Sequence, residues 1–362
     1  MTDIMDAPPA EEAPARFQRL NVRTIATVGL FVLAVLFTLR FARGFLVPIA
    51  VSLLLDFLLS PAIRGFKKLG VTESISAAIL VLGLIAVVGT GIYFLANPAA
   101  DWIERAPRSL AAVKAKLTKL TKPLEKIQAT AKAVEEVTAP GDKPAEVKLA
   151  APSMTQRITG STASALNSAL TVIFLTYFLL AAGDLFMQKL VGVLPVFGDK
   201  KKAVGIVRDI EEHISRYLTT VTAINIGLGL VTWGVLAAVG MPNAALWGAL
   251  AGVTNFIPYV GGVVTTGAIA FAALLTFDST GKALMMPGIF LAINMLESNL
   301  VTPLVLGLRL PLNAVALFVG LLLWWYLWGI PGAILAVPMM VAMKIVCDHV
   351  ERLAPVGAFL GP

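Results

Sequence analysis

Asn255-Phe256-Ile257-Pro258-Tyr259-Val260-Gly261-Gly262 interrupts an apolar stretch covering residues 244–277. Pro258 removes a backbone donor and opposes a continuing helix, and Gly261 and Gly262 free the backbone beyond it. In a bilayer every backbone polar group needs a partner, so non-helical chain at that depth is held only inside protein or beside a cavity. A short apolar segment broken by Pro and Gly is the sequence mark of a transporter binding site. The halves, 244–257 and 263–277, are each about 15 residues, against the roughly 20 that a helix needs to cross the hydrocarbon. That length predicts a re-entrant hairpin over 244–277, entering and leaving by one face. Two full crossings are the alternative, and both readings leave the chain termini on the same sides.

The surrounding sequence has the same character. Of 362 residues, 57% are hydrophobic and 14% charged, with mean hydropathy +0.83, whereas soluble domains carry about 25% charged residues. The fold class is therefore an all-α polytopic membrane protein, with about eight transmembrane helices, a broken hairpin and an extramembrane helical segment. Candidate spans are 23–40, 45–63, 74–96, 160–182, 218–240, 283–300, 310–328 and 330–347.

Loop charge orients them. Arg16, Arg19 and Arg23 put the N-terminus inside, as do Arg64, Lys67 and Lys68 for the end of the second span. Lys189, Lys200, Lys201, Lys202, Arg208 and Arg216 do the same after the fourth, and the count brings the C-terminus inside. The resulting organisation is a disordered N-terminus (1–22), three spans (23–96) and an extramembrane segment (97–157) on the outer, periplasmic side. A fourth span with an amphipathic cytoplasmic helix (158–217), a transmembrane core (218–348) and a tail (349–362) follow. The first apolar segment has no small-residue cleavage pattern behind it, so it reads as a retained anchor rather than a signal peptide.

Composition also excludes several functions. A single cysteine, Cys347, and two separated histidines, His213 and His349, offer neither a disulfide framework nor a metal site. There is no nucleotide-binding G-x-x-x-x-G-K-[ST] loop. No Ser/His, Cys/His, HExxH or paired-carboxylate arrangement lies within the spans, so no catalytic residue, resident metal or cofactor is expected, and the chain does not read as an enzyme. The net charge of +7 matches anionic lipid at a cytoplasmic surface, not nucleic acid. Cys347 reads as a helix-packing residue.

Two amphipathic stretches lie between spans. Leu110, Val113, Leu117, Leu120, Leu124, Ile127, Ala131 and Val134 alternate three- and four-residue steps, the period of a coiled-coil seam. Pro123 should kink or divide that run. A hairpin packed on its own membrane domain and a seam between protomers fit equally. Ala203, Ile206, Val207, Ile210, Ile214 and Tyr217 form the second stretch, read as a helix on the membrane surface, with Glu212 and Arg216 as an i,i+4 pair.

Glu297 sits in apolar surroundings within Asn294-Met-Leu-Glu297-Ser298-Asn299-Leu-Val-Thr302-Pro303. A carboxylate at depth costs about 2.5–3.5 kcal/mol on insertion scales, and it faces a cavity or a partner. Interhelical hydrogen bonding would explain it, but the convergence of Asn294, Asn299 and Thr302 beside the Pro303 break favours a place on a solute or ion pathway. Asn255 followed by Pro258 and Asn299 followed by Pro303 share a pattern that fits an internal repeat and chance about equally. Asp56 is a second ionisable candidate, or else an interfacial residue if the second span ends near Pro61. Asn225 reads as a packing hydrogen bond and a secondary candidate. Gly248 and Gly252 form a GxxxG pattern expected to pack within the hairpin, and Trp324, Trp325, Tyr326 and Trp328 an interfacial aromatic belt.

Several motifs occur in order along the second half: Asp199-Lys-Lys through Ile214-Ser-Arg-Tyr217-Leu, Gly240-Met-Pro242-Asn-Ala-Ala-Leu-Trp247-Gly248, and Asn255-Phe-Ile-Pro258-Tyr259-Val-Gly261. Glu297-x-Asn299-Leu-x-x-Pro303-x-x-x-Gly307 and Gly329-Ile-Pro-Gly332-Ala-x-x-Ala-Val-Pro338 complete them. Together they resemble the autoinducer-2 exporter (AI-2E) family of permeases over 160–350, and more weakly over the first three spans. The resemblance implies a multipass inner-membrane permease of a bacterium that forms homo-oligomers. It further implies export of a small polar solute such as the quorum-sensing signal autoinducer-2 or, in other members, sodium or lithium/proton antiport.

The expectation is secondary transport by alternating access. Asn255, Pro258, Tyr259, Gly261, Gly262, Asn294, Glu297, Asn299 and Pro303 would line the pathway, with H+ or Na+ as coupling ion through Glu297. Its partners are the bilayer and a small polar solute or monovalent cation. A passive channel, or a membrane scaffold assembled through 110–134 without transport, would use the same sequence differently.

Overall fold

A computed structural model describes residues 22–132, 154–183, 185, 189, 197–306, 312–350 and 353–361. Every regular element among them is helical. In chain order they are α1 (Val22–Phe41), α2 (Arg43–Lys68), α3 (Glu73–Lys132), α4 (Met154–Ala182), α5 (Phe197–Ala238), α6 (Ala244–Thr254), α7 (Val260–Thr276) and α8 (Thr280–Leu296). A π-helical turn (Glu297–Val301), α9 (Thr302–Leu306), α10 (Ala314–Trp328), α11 (Ile330–His349) and α12 (Ala354–Leu360) complete the described chain.

Among the described residues, 5 helical stretches are long and apolar enough to cross a membrane: Arg43–Lys68, Glu73–Glu104, Val204–Ala238, Thr280–Val305 and Ile330–His349. The expected spans 23–40, 160–182 and 310–328 fall on α1, α4 and α10, whose apolar stretches, Ala26–Phe41, Leu166–Ala182 and Ala314–Trp328, are shorter. The polytopic all-α architecture holds, with each expected span on a helix and five meeting the length requirement.

Helix boundaries differ from the expected ones where hydropathy changes along a continuous helix. The third span and the segment after it form one helix of 60 residues, about 90 Å long at 1.5 Å per residue. That is roughly three times the hydrocarbon thickness, so the helix must project well beyond a bilayer. Pro123 does not divide it, because strong helix formers on both sides carry the backbone past one lost hydrogen bond. The side chains of the 110–134 seam, residues 1–21 and residues 133–153 lie outside the described part. Likewise α5 joins the amphipathic stretch and the fifth span in one helix of 42 residues. Beyond α11 the tail carries α12, held by Asn313, whose Nδ2 donates to the carbonyls of Phe359 (2.8 Å) and Gly361 (3.0 Å).

The core gathers around the hairpin. Leu236 and Met241 at the end of α5, Trp247 and Ala251 of α6, Ile269 and Ala273 of α7, and Met286 and Phe290 of α8 form one buried cluster. Residues near both ends of the α6–α7 pair thus pack together with the same neighbours, and the pair doubles back on itself.

The Gly248/Gly252 pattern packs elsewhere than expected. A Cβ on Gly248 would lie 2.7 Å from Trp233 Cβ, and one on Gly252 2.9 Å from the Asn225 carbonyl oxygen. These glycines bring α6 against α5, not against α7. The aromatic belt is also revised. Trp328 is buried and its indole Nε1 donates to the Leu39 carbonyl at 2.9 Å, tying α10 to α1, while Trp324 meets it at 4.9 Å with the rings tilted by 60°. Trp325 and Tyr326 remain exposed. Cys347 is buried in α11, as its packing role required.

Candidate functional site

The break between α6 and α7 is a tight, strained turn. The Val260 N–H donates to the Pro258 carbonyl at 2.7 Å, and Tyr259 between them has φ 64° and ψ −42°. This is a γ-turn of the rare form, costly for any residue bearing a Cβ. The Tyr259 ring is 61% exposed and meets Phe318 of α10 edge-on at 6.5 Å. Ile257 packs with Leu321, Ala333 and Ala336 of α10 and α11.

Gly261 fixes how closely the two halves approach. A Cβ there would lie 2.8 Å from Asn255 Cα and closer still to the Thr254 carbonyl oxygen. Only glycine permits this contact, which seats the Thr254 hydroxyl 2.7 Å from that of Thr265. Thr254 also donates to Leu250 O at 2.8 Å. Thr265 is fully buried, so the hydroxyl pair staples α6 to α7 beneath the turn. Neither threonine stands out in the sequence. Their placement on facing sides of two short helices is the only signal there, and it requires knowing the hairpin first.

Asn225 of α5 completes the tip. Asn255 Nδ2 donates to Asn225 Oδ1 at 2.9 Å. Asn225 is 2% exposed, and its own Nδ2 finds no partner among the described residues, nor does the hydroxyl of Thr222 one turn before it. A buried unpaired donor costs about 1–3 kcal/mol, and such groups call for an explanation beyond packing. Here an amide donor is held beside a helix break, where the α6 C-terminus and the α7 N-terminus present opposite dipole ends. That combination can hydrogen-bond a small polar molecule.

The α8 candidates divide. Asn294 Oδ1 sits where a Cβ on Gly262 would come within 2.8 Å, so Asn294 touches the hairpin backbone and belongs to the tip. Glu297 is 9% exposed and accepts a hydrogen bond from the Thr302 hydroxyl. Its π-helical turn packs against α5. That turn winds through an i→i−5 hydrogen bond from the Thr302 N–H to the Glu297 carbonyl, and Pro303, which has no N–H to give, follows it directly. Asn299 lies on this turn, one turn after the exposed Met295. It is exposed, and its Nδ2 donates to Met295 O at 2.9 Å, so it does not join the tip; Pro303 is also exposed. Asp56 is half-buried in α2 with Glu211 of α5 as its electrostatic neighbour, apart from the hairpin. Thus Asn225, Asn255, Pro258, Tyr259, Gly261, Gly262 and Asn294 assemble at one place, Glu297 lies on the adjoining turn, and Asn299, Pro303 and Asp56 stand away.

A family model described as AI-2E family transporter matches residues 30–352. The chain is similar to the AI-2 transport protein TqsA of Escherichia coli K12, at 26% identity over 91% of this chain and 92% of that protein. It is 24% identical to YhhT of the same bacterium over 89% of each, and 24% identical to a protein of Haemophilus influenzae over 91% of this chain and 94% of the other. The names of these two attribute transport provisionally and state no substrate. The helices long enough to cross a membrane and these transport relatives make the chain a multipass membrane protein.

Proposed function

The chain belongs to the AI-2E transporter family, and on that premise we propose that it is a secondary exporter of a small polar solute in the bacterial inner membrane, both termini cytoplasmic. TqsA, named for autoinducer-2, suggests that signal as the solute to try first. The observation carrying this reading is the Asn225 amide, buried beside the Asn255–Tyr259 break with a donor that no described residue satisfies. In this reading the hairpin is re-entrant. Its α6 half, 11 residues long, rises about 17 Å, which sets the tip near the middle of a hydrocarbon layer about 30 Å thick.

The solute would hydrogen-bond Asn225 and Asn255 at the tip, and alternating access would follow from rocking of the hairpin against α10 and α11, where Tyr259 meets Phe318. Glu297 would couple a proton: it is buried, it carries one hydroxyl donor from Thr302, and it lies one helical turn from Asn294. Efflux of autoinducer-2 from proteoliposomes with and without an imposed pH gradient tests this. The expected result is gradient-dependent flux in the wild type, flux lowered at least tenfold in Asn225→Leu, and flux that no longer follows pH in Glu297→Gln. Wild-type flux no greater than in protein-free liposomes would remove the solute assignment. An unchanged rate and pH dependence in Glu297→Gln would remove the coupling role.

A further inference from the structure

Two cavities follow one face of α5. The first, about 560 Å³, lies between the end of α2 and the charged part of α5. Arg64, Arg208 and Arg216 line it with Glu211 and Glu212; three cations less two carboxylates leave a single positive charge. Glu211 pairs with Arg64 at 3.2 Å and Glu212 with Arg216 at 3.5 Å, so Arg208 has no ion pair among the described residues. Ser215, 3% exposed, and Thr219 add hydroxyls to the same wall. A net charge of one suits a singly charged anion such as a phosphodiester and disfavours a polyanion.

The second cavity, about 330 Å³, is apolar and opens further along α5, between Ile226, Leu230 and Trp233 on one side and Val253 and Phe256 on the other. The positions Arg208, Glu212, Ser215, Thr219, Ala223, Ile226, Leu230 and Trp233 advance by steps of three or four residues, which keeps them on one helix face. Ala223, exposed and small, lies between the two cavities on this face. Thr219 to Leu230 spans about 17 Å at 1.5 Å per residue, close to one leaflet of a hydrocarbon layer about 30 Å thick. A free anion would use the cleft and leave the groove bare, and an apolar helix would cover the groove and leave Arg208 without a counter-charge. A molecule with a singly charged head and an apolar chain of one leaflet's length satisfies both.

We propose that this face of α5 holds a membrane phospholipid, its phosphodiester among Arg64, Arg208 and Arg216 and one acyl chain along Ala223, Ile226 and Leu230. The charged cleft shares no residue with the hairpin tip, whereas the groove borders the tip at Asn225 and Phe256; the proposal requires only that α5 cross a bilayer with the cleft at its boundary. The contacts predict lipid that survives purification and stabilises the fold.

The test uses the full chain, delipidated in detergent and titrated with phosphatidylglycerol, with phosphatidylethanolamine and, separately, with inorganic phosphate. Bound lipid is read by native mass spectrometry and stabilisation by thermal unfolding. Wild type should keep about one lipid per chain, with lipid half-saturation raised about tenfold in Arg208→Gln, the loss expected for one charge-assisted contact. Ala223→Trp, which blocks the groove and leaves the cleft intact, should weaken lipid binding similarly, and it serves as the readout if Arg208→Gln does not fold. Arg43→Gln, an exposed arginine at the other end of α2, should bind as wild type. Equal lipid retention in all variants, loss in Arg43→Gln as great as in Arg208→Gln, or stabilisation by inorganic phosphate equal to that by lipid would each overturn the proposal.

Discussion

Gly261→Ala tests the geometry of the hairpin most sharply. Ordinary contact begins near 3.4 Å, and an alanine Cβ at this position would lie 2.8 Å from Asn255 Cα, with the Thr254 carbonyl oxygen nearer still. The two helices must therefore separate by at least 0.6 Å, which is 3.4 less 2.8. Both obstacles are backbone, so no side chain can swing aside. The same movement stretches the Thr254–Thr265 hydroxyl contact from 2.7 Å to the edge of hydrogen-bond range. Overpacking of this kind costs about 1–3 kcal/mol and a weakened buried hydrogen bond about 0.5–1.5 kcal/mol. Alanine's helix preference returns about 0.5–1 kcal/mol, leaving a net loss of about 1–3 kcal/mol. Gly267→Ala, also in α7, places its Cβ where nothing lies within 4 Å and should gain the helix preference alone. Thermal unfolding of both variants in detergent, followed by tryptophan fluorescence, measures the difference. Gly261→Ala as stable as Gly267→Ala would mean that α6 and α7 do not touch at the tip, and the argument built on that contact would fail.

Three further outcomes follow from the same contacts. At position 259 the positive φ of 64° penalises a Cβ, so Tyr259→Gly should be more stable than Tyr259→Ala by about 1 kcal/mol or more in the same unfolding assay. A double-mutant cycle between Asn225→Ala and Asn255→Ala should give a coupling of about 0.5–1.5 kcal/mol; additive effects would remove the amide–amide hydrogen bond from the account. Trp328→Phe loses the bond to the Leu39 carbonyl and should destabilise by about 1 kcal/mol, with faster hydrogen exchange confined to α1 and α10.

The breaks were legible because their causes are local. Pro258 and the glycines after it act through their own backbone geometry, and Gly329, with φ 66°, separates α10 from α11 at the expected place. Continuity was less legible. Hydropathy marks where a helix meets the bilayer surface, not where the helix ends, so α3 and α5 read as two segments each, although α3 runs on through Pro98 and no proline or glycine stands at 217.

Partner choice was the least legible. Gly248 and Gly252 announce a close approach, but only the tertiary arrangement shows that Gly229 and Asn225 of α5 receive them. For the same reason Asn225, read as a packing residue, turns out to be the partner of Asn255. Asn299 stands away from the tip because it follows the exposed Met295 by about one turn, a facing that the sequence motif alone does not reveal.

The depth of the hairpin tip tests the central claim most directly. A spin label at position 259, in a Cys347→Ala background, can be measured in lipid nanodiscs by its relative exposure to oxygen and to a water-soluble nickel chelate. Re-entry predicts a depth about 17 Å below the surface at which α6 begins, from 11 residues at 1.5 Å each. A label at the opposite headgroup layer would show α6 and α7 to be full crossings, and the mid-membrane site around Asn225 and Asn255 would be contradicted.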